Sequence, residues 1–239
     1  MMQCVRQRLV GSVVFAALSL PAAPAWADIT LYSQVVEPSN QNIGWGFYSS
    51  PQPRARRSFK HADNFVLPDA AQINSVRFWG INEGLFSNGL ANYDQFTVEF
   101  FTSQSATGGL LGSLIHSETF TVAETNPANT GRINPLNNQA EMVHLVTLDT
   151  PLNLAAGTQY WIAVSARAIN GSGDAWGWRD GLFVNGYSNS FSYATGVWSG
   201  FQDTDSSFEL IGVPAPGGLA AVALILPLVG RRRRLTARA

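Results

Sequence analysis

Between residues 28 and 212 no stretch sustains the 3.6-residue apolar period of a helix, and short runs alternate with a period of two instead. The clearest is QFTVEFF at 95–101, where Phe96, Val98 and Phe100 fall on one face and Thr97 and Glu99 on the other. TQYWIAVSA repeats the pattern with Tyr160, Ile162 and Val164. Val76 and Phe78 of INSVRFWGI, and the runs at 114–122, 142–148 and 208–211, read as further strands, with 29–36 opening the sheet. Many short strands with turn signals between them predict an all-β fold: an antiparallel β-sandwich of jelly-roll or immunoglobulin-like type.

Gly, Asn and Ser cluster at 82–92, 123–139 and 170–200, which read as loops, and PLNLAAG at 151–157 reads as a turn before a strand. Aromatic residues are dense in these loops. Trp176, Trp178, Tyr187 and Trp198 form the candidate glycan-stacking set, against the alternative that such rings close the ends of the core. In DTDSSFE, Asp203 and Asp205 are the candidate calcium ligands, with Asp174 and Asp180 in reserve; the EF-hand pattern itself fails, because Phe208 and Pro214 occupy the places of its glycine and glutamate. No other cofactor is suggested. The scattered His61, His116 and His144 lack ligand spacing and read as structural or surface groups. Asp63, Glu83, Asp94 and Glu99 could serve a polysaccharide-degrading enzyme, yet nothing local marks two of them as a pair. Serine-elbow and phosphate-loop motifs are missing, so no catalytic residue is assigned.

Charge separates the ends of the chain from its middle. The stretch 28–212 holds eight Lys and Arg against all sixteen Asp and Glu, a net charge of −8 hidden by the −1 of the whole chain. So acidic a body argues against nucleic-acid binding. Its one basic cluster, Arg54, Arg56, Arg57 and Lys60, reads as a solvated turn. At the start, Arg6 and Arg8 precede an apolar run at 9–20 and the small residues that end in Ala25-Trp26-Ala27. That order predicts a secretory leader over 1–27, as a signal helix cut after an A-x-A site at Ala25 and Ala27. The single cysteine, Cys4, lies inside the leader, so the exported body has no disulfide.

At the other end, residues 210–230 carry no charge, and Arg231, Arg232, Arg233 and Arg234 follow. As a helix such a run would reach about 31 Å, enough to cross a bilayer with the arginines left on the cytoplasmic side. Val213, Pro214, Ala215 and Pro216, the apolar run and the arginine cluster together resemble the PEP-CTERM sorting signal of exported bacterial proteins, also catalogued as the ice-binding-protein C-terminal domain. The resemblance implies an exosortase-type sorting partner at the inner membrane, cleavage near the Pro motif, and delivery to the cell surface or the extracellular polysaccharide. Ala215 stands where that signal has Glu, which leaves open a tail that is cut and one kept as an anchor. The body is similar, more loosely, to exported sandwich domains of the choice-of-anchor type, through SFKHADNFVLPDAAQINSVRFWG, DQFTVEFFTSQSATGGLLGSLI and LNLAAGTQYWIAVSA.

The expected organisation is therefore a leader (1–27), a β-sandwich (28–212) and a hydrophobic sorting helix (213–239). The expected function is that of an exported, surface- or matrix-associated protein without catalysis, with carbohydrate binding as the alternative.

Overall fold

The computed structural model describes residues 27–35, 47–49, 59–82, 93–104, 110–134, 138–169, 176–181, 187–192, 195–202 and 205–215. Among them are thirteen strands: β1 (Ile29–Ser33), β2 (Phe47–Tyr48), β3 (Phe59–Val66), β4 (Ala71–Asn82), β5 (Tyr93–Ser103), β6 (Leu111–Thr121), β7 (Ala128–Ile133), β8 (Ala140–Leu154), β9 (Gln159–Ala168), β10 (Trp176–Trp178), β11 (Tyr187–Ser192), β12 (Val197–Gln202) and β13 (Phe208–Pro214). One 3-10 turn, Ala123–Thr125, joins β6 to β7. Of the signal and sorting helices expected at the two ends, only Ala27 and residues 213–215 are described, and Val213 and Pro214 belong to strand β13, not to a helix.

Every pairing is antiparallel, and the strands form two sheets. In the first, β4 is the central strand. β8 runs along one edge of it with β7 beyond, while β13 and then β10 share the other edge, flanked by β1 and β2. The second sheet runs β12-β11-β3-β9-β5-β6. The inward rows of the two sheets make one core: Phe65, Phe96, Phe100, Ile162 and Val164 from the second meet Ile73, Val76, Phe78, Val146, Phe208 and Leu210 from the first. Rings cross between the sheets, with Phe78 5.5 Å from Phe96 and Phe65 6.1 Å from Phe208. This all-β, antiparallel arrangement is compatible with a β-sandwich.

The strongly alternating segments fold as their periodicity predicts, Phe96, Val98 and Phe100 of β5 being fully buried. The loop expectations need correction. β8 continues through Pro151 to Leu154, pairing Leu152 with Ile73, so the turn is confined to 155–158. The stretch 123–139 contains β7, and 170–200 contains β10, β11 and part of β12. β10 is only three residues long, too short to show a period although Trp176 and Trp178 are core rings, and β11 lacks apolar alternation because its row is polar: Ser190 reaches the buried His61. β13 also runs past Gly212, so Val213 and Pro214 pair with Gln72 and Ala71.

One pole of the fold gathers the start of β1, the end of β13, the β3–β4 turn and the β8–β9 turn. Ile29 faces Gly212, Pro214 faces Ala71, Ala71 faces Leu154, and Gly157 N–H donates to the Leu67 carbonyl at 2.9 Å.

Candidate functional site

Of the four aromatic residues proposed from sequence, the three whose side chains are described do not converge. Trp176 and Trp178 of β10 are buried. Trp176 packs edge-on against Phe78 and Phe96 at 5.9 and 5.3 Å, and Trp178 packs on Phe208 at 5.9 Å while its Nε1 donates to the Ser207 carbonyl at 2.9 Å. The Trp176 ring lies against the Gly80 backbone so closely that a Cβ there would come within 2.3 Å of it. Rings so placed serve the core and are withdrawn from any stacking ligand. Tyr187 pairs with Gln202 as backbone at the start of β11, and its side chain lies outside the described residues.

Trp198 stands apart from these. It projects from β12 on the side of the second sheet turned away from the main core, 5.2 Å from Phe191 and 5.9 Å from Phe101. Phe101 belongs to β5, four places from β12 in the sheet, about 19 Å if the sheet were flat. The contact therefore requires the sheet to curl strongly about this outer face. Within the curl a smaller apolar cluster forms from Ala62, Phe101, Leu111, Trp161 and Ala163, with Trp198 packed against it. Small residues on β3 and β9 leave room for Lys60 Nζ to reach across to Glu99 Oε2 at 2.5 Å. The indole Nε1 of Trp161 is buried here with no hydrogen-bond partner among the described residues.

Between the sheets lies a polar seam that sequence reasoning did not assemble. The Tyr32 hydroxyl donates to Gln34 Oε1 at 2.7 Å, and Gln34 Nε2 donates both to Asp63 Oδ2 and to the Ser206 carbonyl, each at 2.7 Å. Both amide hydrogens of Gln34 are thus used, which orients the group uniquely. Asp63 also accepts the Ser206 N–H on Oδ2, and the Asn64 N–H on Oδ1 at 2.7 Å. Burial and the neighbouring Asp205 push the Asp63 carboxyl well above its usual range, against the pull of those donors. Burial, Asp63 and Asp205 likewise raise the Tyr32 phenol.

Asp205, one of the two candidate calcium ligands, is buried beside this seam, while Asp203 lies outside the described residues. Asp180 comes to the same place, since it bridges to Ser206 and Gly181 N–H donates to the Asp205 carbonyl at 2.7 Å. Among the described residues no group of three or more His, Cys, Asp or Glu is arranged to hold a metal. A second buried ionic cluster joins Glu141 of β8 to Arg179: Arg179 Nη1 donates to Glu141 Oε1, and Thr130 Oγ1 donates to Oε2 at 2.7 Å. Burial, aided by Arg132, lowers the Arg179 guanidinium to about 10.

Of the carboxylates considered for hydrolysis, Asp63 is held by amides, Glu99 by Lys60 and Asp94 by Arg167, while Glu83 lies outside the described residues. His61 and His144 are buried and neutral, each lowered to about 3 by burial; His144 stacks on Phe78 at 5.0 Å, with its Nδ1 2.9 Å from Thr125 Oγ1.

At the C-terminal end, Val213 and Pro214 belong to the sheet, and Ala215 N–H donates to the Ala70 carbonyl at 2.7 Å. Pro216 and Arg231 to Arg234 lie outside the described residues, as does Ala25, whereas Ala27 is described and exposed. Among the described residues no helix is long and apolar enough to cross a membrane. No protein-family model matches the chain, and no curated protein matches it.

Proposed function

We propose that this chain is an exported, surface- or matrix-associated β-sandwich protein without a catalytic role, taken out by its leader and handled at the inner membrane through residues 213–239. The observation that carries this reading is the hydrogen bond from Ala215 to Ala70: the last described strand runs through Val213 and Pro214 and is held at Ala215, inside the Val-Pro-Ala-Pro step. The rest of the uncharged run, from Pro216, and its four arginines follow that strand in sequence in the order a membrane-sorting segment needs. The finer architecture we read as a jelly roll, because β1-β13-β4-β8 faces β3-β9-β5-β6, and along these eight strands the chain crosses between the sheets at every step but β5 to β6. The non-catalytic reading is supported by the engagement of Asp63, Asp94, Glu99 and Glu141 with donors that hold them in place.

Fractionation tests the proposal. The full chain is expected in the envelope, and truncation after Pro216 should release the body in soluble form; accumulation of the full-length protein in the cytosol would refute export.

Trp198 favours a second reading. Half-buried beside Phe191, above Ala62, Ala163 and the Lys60–Glu99 pair, it offers a sugar both a ring face and polar partners. If this face binds extracellular polysaccharide, Trp198→Ala should weaken a polysaccharide pull-down severalfold; equal retention of both proteins would remove the idea.

A further inference from the structure

We propose that the pole at which β13 ends is a membrane-seating surface and that a lipid bilayer is its occupant, so that the body rests flush on the membrane with its opposite pole facing outward. The proposal depends on the reading of the C-terminal segment as one that enters a membrane.

The first support is the length of chain between fold and apolar run. Ala215 is still bonded to Ala70, and only Pro216, Gly217 and Gly218 stand between it and Leu219. Four residue steps span at most about 14 Å even when fully extended. Such a reach keeps this pole close to whatever holds the apolar run. The start of the described chain leaves at the same pole, since Ile29 of β1 lies opposite Gly212 of β13.

The surface chemistry there agrees with the tether. Seven large apolar side chains are exposed among the described residues, and four lie at this pole: Ile29 (48%), Val66 (45%), Leu110 (47%) and Leu114 (51%). Their positions follow from the registers: Val66 ends β3 opposite Gln159, Leu110 leads into β6, and Leu114 faces Phe101 near the end of β5. The remaining three are scattered, Ile115 along the edge strand β6 and Ile133 and Val197 toward the far pole. Between the four, the β8–β9 turn supplies Ala155, Ala156, Gly157 and Thr158, all exposed and all uncharged. Asp28 and Asp69 are the charges of the two termini and turns gathered here, and no Lys or Arg occurs at 27–30, 66–70 or 153–158. Isolated exposed aliphatics need no explanation, but four around one small-residue turn at the mouth of an apolar tail form a patch suited to the headgroup–acyl boundary. Insertion of the tail would hold that patch at the bilayer at high effective concentration.

The test uses the full chain carrying Cys4→Ser, with one cysteine introduced at Ala156 on the seating pole or at Thr195 on the far pole. Both positions are exposed, so labelling with an environment-sensitive fluorophore leaves packing untouched. The labelled chains are reconstituted into phosphatidylethanolamine–phosphatidylglycerol vesicles. The expected result is flotation with the vesicles, a blue-shifted and severalfold brighter signal at 156 that headgroup-attached quenchers suppress, and an aqueous signal at 195. A flexible Gly/Ser spacer of roughly twelve residues after Ala215 should leave the 156 signal in place, whereas Val66→Asp with Leu110→Asp in that spacer variant should abolish it without loss of flotation. Flotation with an aqueous signal at 156 overturns the seating surface alone. Failure to float overturns the reading of the tail, and the seating surface with it.

Discussion

Trp176 and Trp178 show how a residue type can be read correctly while its role is read wrongly. Both sit in a Gly-rich, Asp-containing stretch that resembles a binding loop, and both are core rings because β10 pairs with the end of β4. Trp178→Ala should therefore cost about 3–5 kcal/mol of stability in urea unfolding. A loss below about 1 kcal/mol would mean that the ring is not packed as described. The buried histidines make stability depend on pH. Their folded pKa values, about 3, lie below the unfolded 6.5, so their contribution is complete above pH 6.5 and is lost as the pH falls toward 3. Each contributes a slope of about 1.4 kcal/mol per pH unit over that window. Asp63 has the opposite sign: its raised folded pKa means that the native state takes up a proton first, which works against the histidines. The net expectation is a urea midpoint that falls as the pH drops from 6.5 to 4, less steeply than the two histidines alone would give. His144→Phe keeps the stack on Phe78, leaves Thr125 Oγ1 its bond to the Val122 carbonyl, and should flatten that slope; an unchanged slope would show that His144 is not held neutral. The histidines were legible as structural. Their titration was not, because burial comes from strands remote in sequence.

At the level of elements, legibility followed the chemistry of the row each strand joins. β4, β5 and β9 contribute to apolar rows and carry the period-two signal, whereas β11 pairs alongside His61 and Asp63 of β3 and carries serines. A strand whose partner row is polar has no apolar pattern to display. The Glu141–Arg179 pair was equally hidden, since its members lie 38 residues apart and meet only through the β10–β4–β8 pairings. Arg179→Met leaves the buried Glu141 with only Thr130 and the more distant Arg132, at 3.7 Å, and should destabilise by about 3 kcal/mol, while adding Glu141→Leu should restore part of that loss. Non-recovery in the double variant would point to a role for Thr130 and Arg132 beyond this pair. β13 carries a further constraint at Gly212, where a Cβ would lie 2.0 Å from the Gln72 carbonyl oxygen. Gly212→Val is expected to push β13 away from β4 and to expose the Val213–Pro214 step to proteases, read as faster clipping in limited digestion; wild-type resistance would show that the backbone adjusts without cost.

For the whole molecule, stability must come from one shared core and the polar seam beside it, since the sole cysteine is Cys4. The thermal midpoint of residues 28–215 should accordingly be insensitive to reductant, and it should match that of the body in the full chain, because the sheet closes at Ala215. A lower midpoint for the shorter protein would show that the tail contributes to the fold. Period two in several segments was enough to establish an all-β, antiparallel chain, because alternation on a pleated strand is a local property written in neighbouring residues. The uncharged run and the arginines are equally local features of sequence, but hydropathy did not show that Leu210 to Pro214 of that run belong to β13. Which aromatics face water, which carboxylates share a seam and where the last strand ends were decided by the tertiary structure alone. Those depend on contacts such as Gln34 with Asp63 and Ser206, separated by 29 and 172 residues, which only the packing of one sheet on the other brings together.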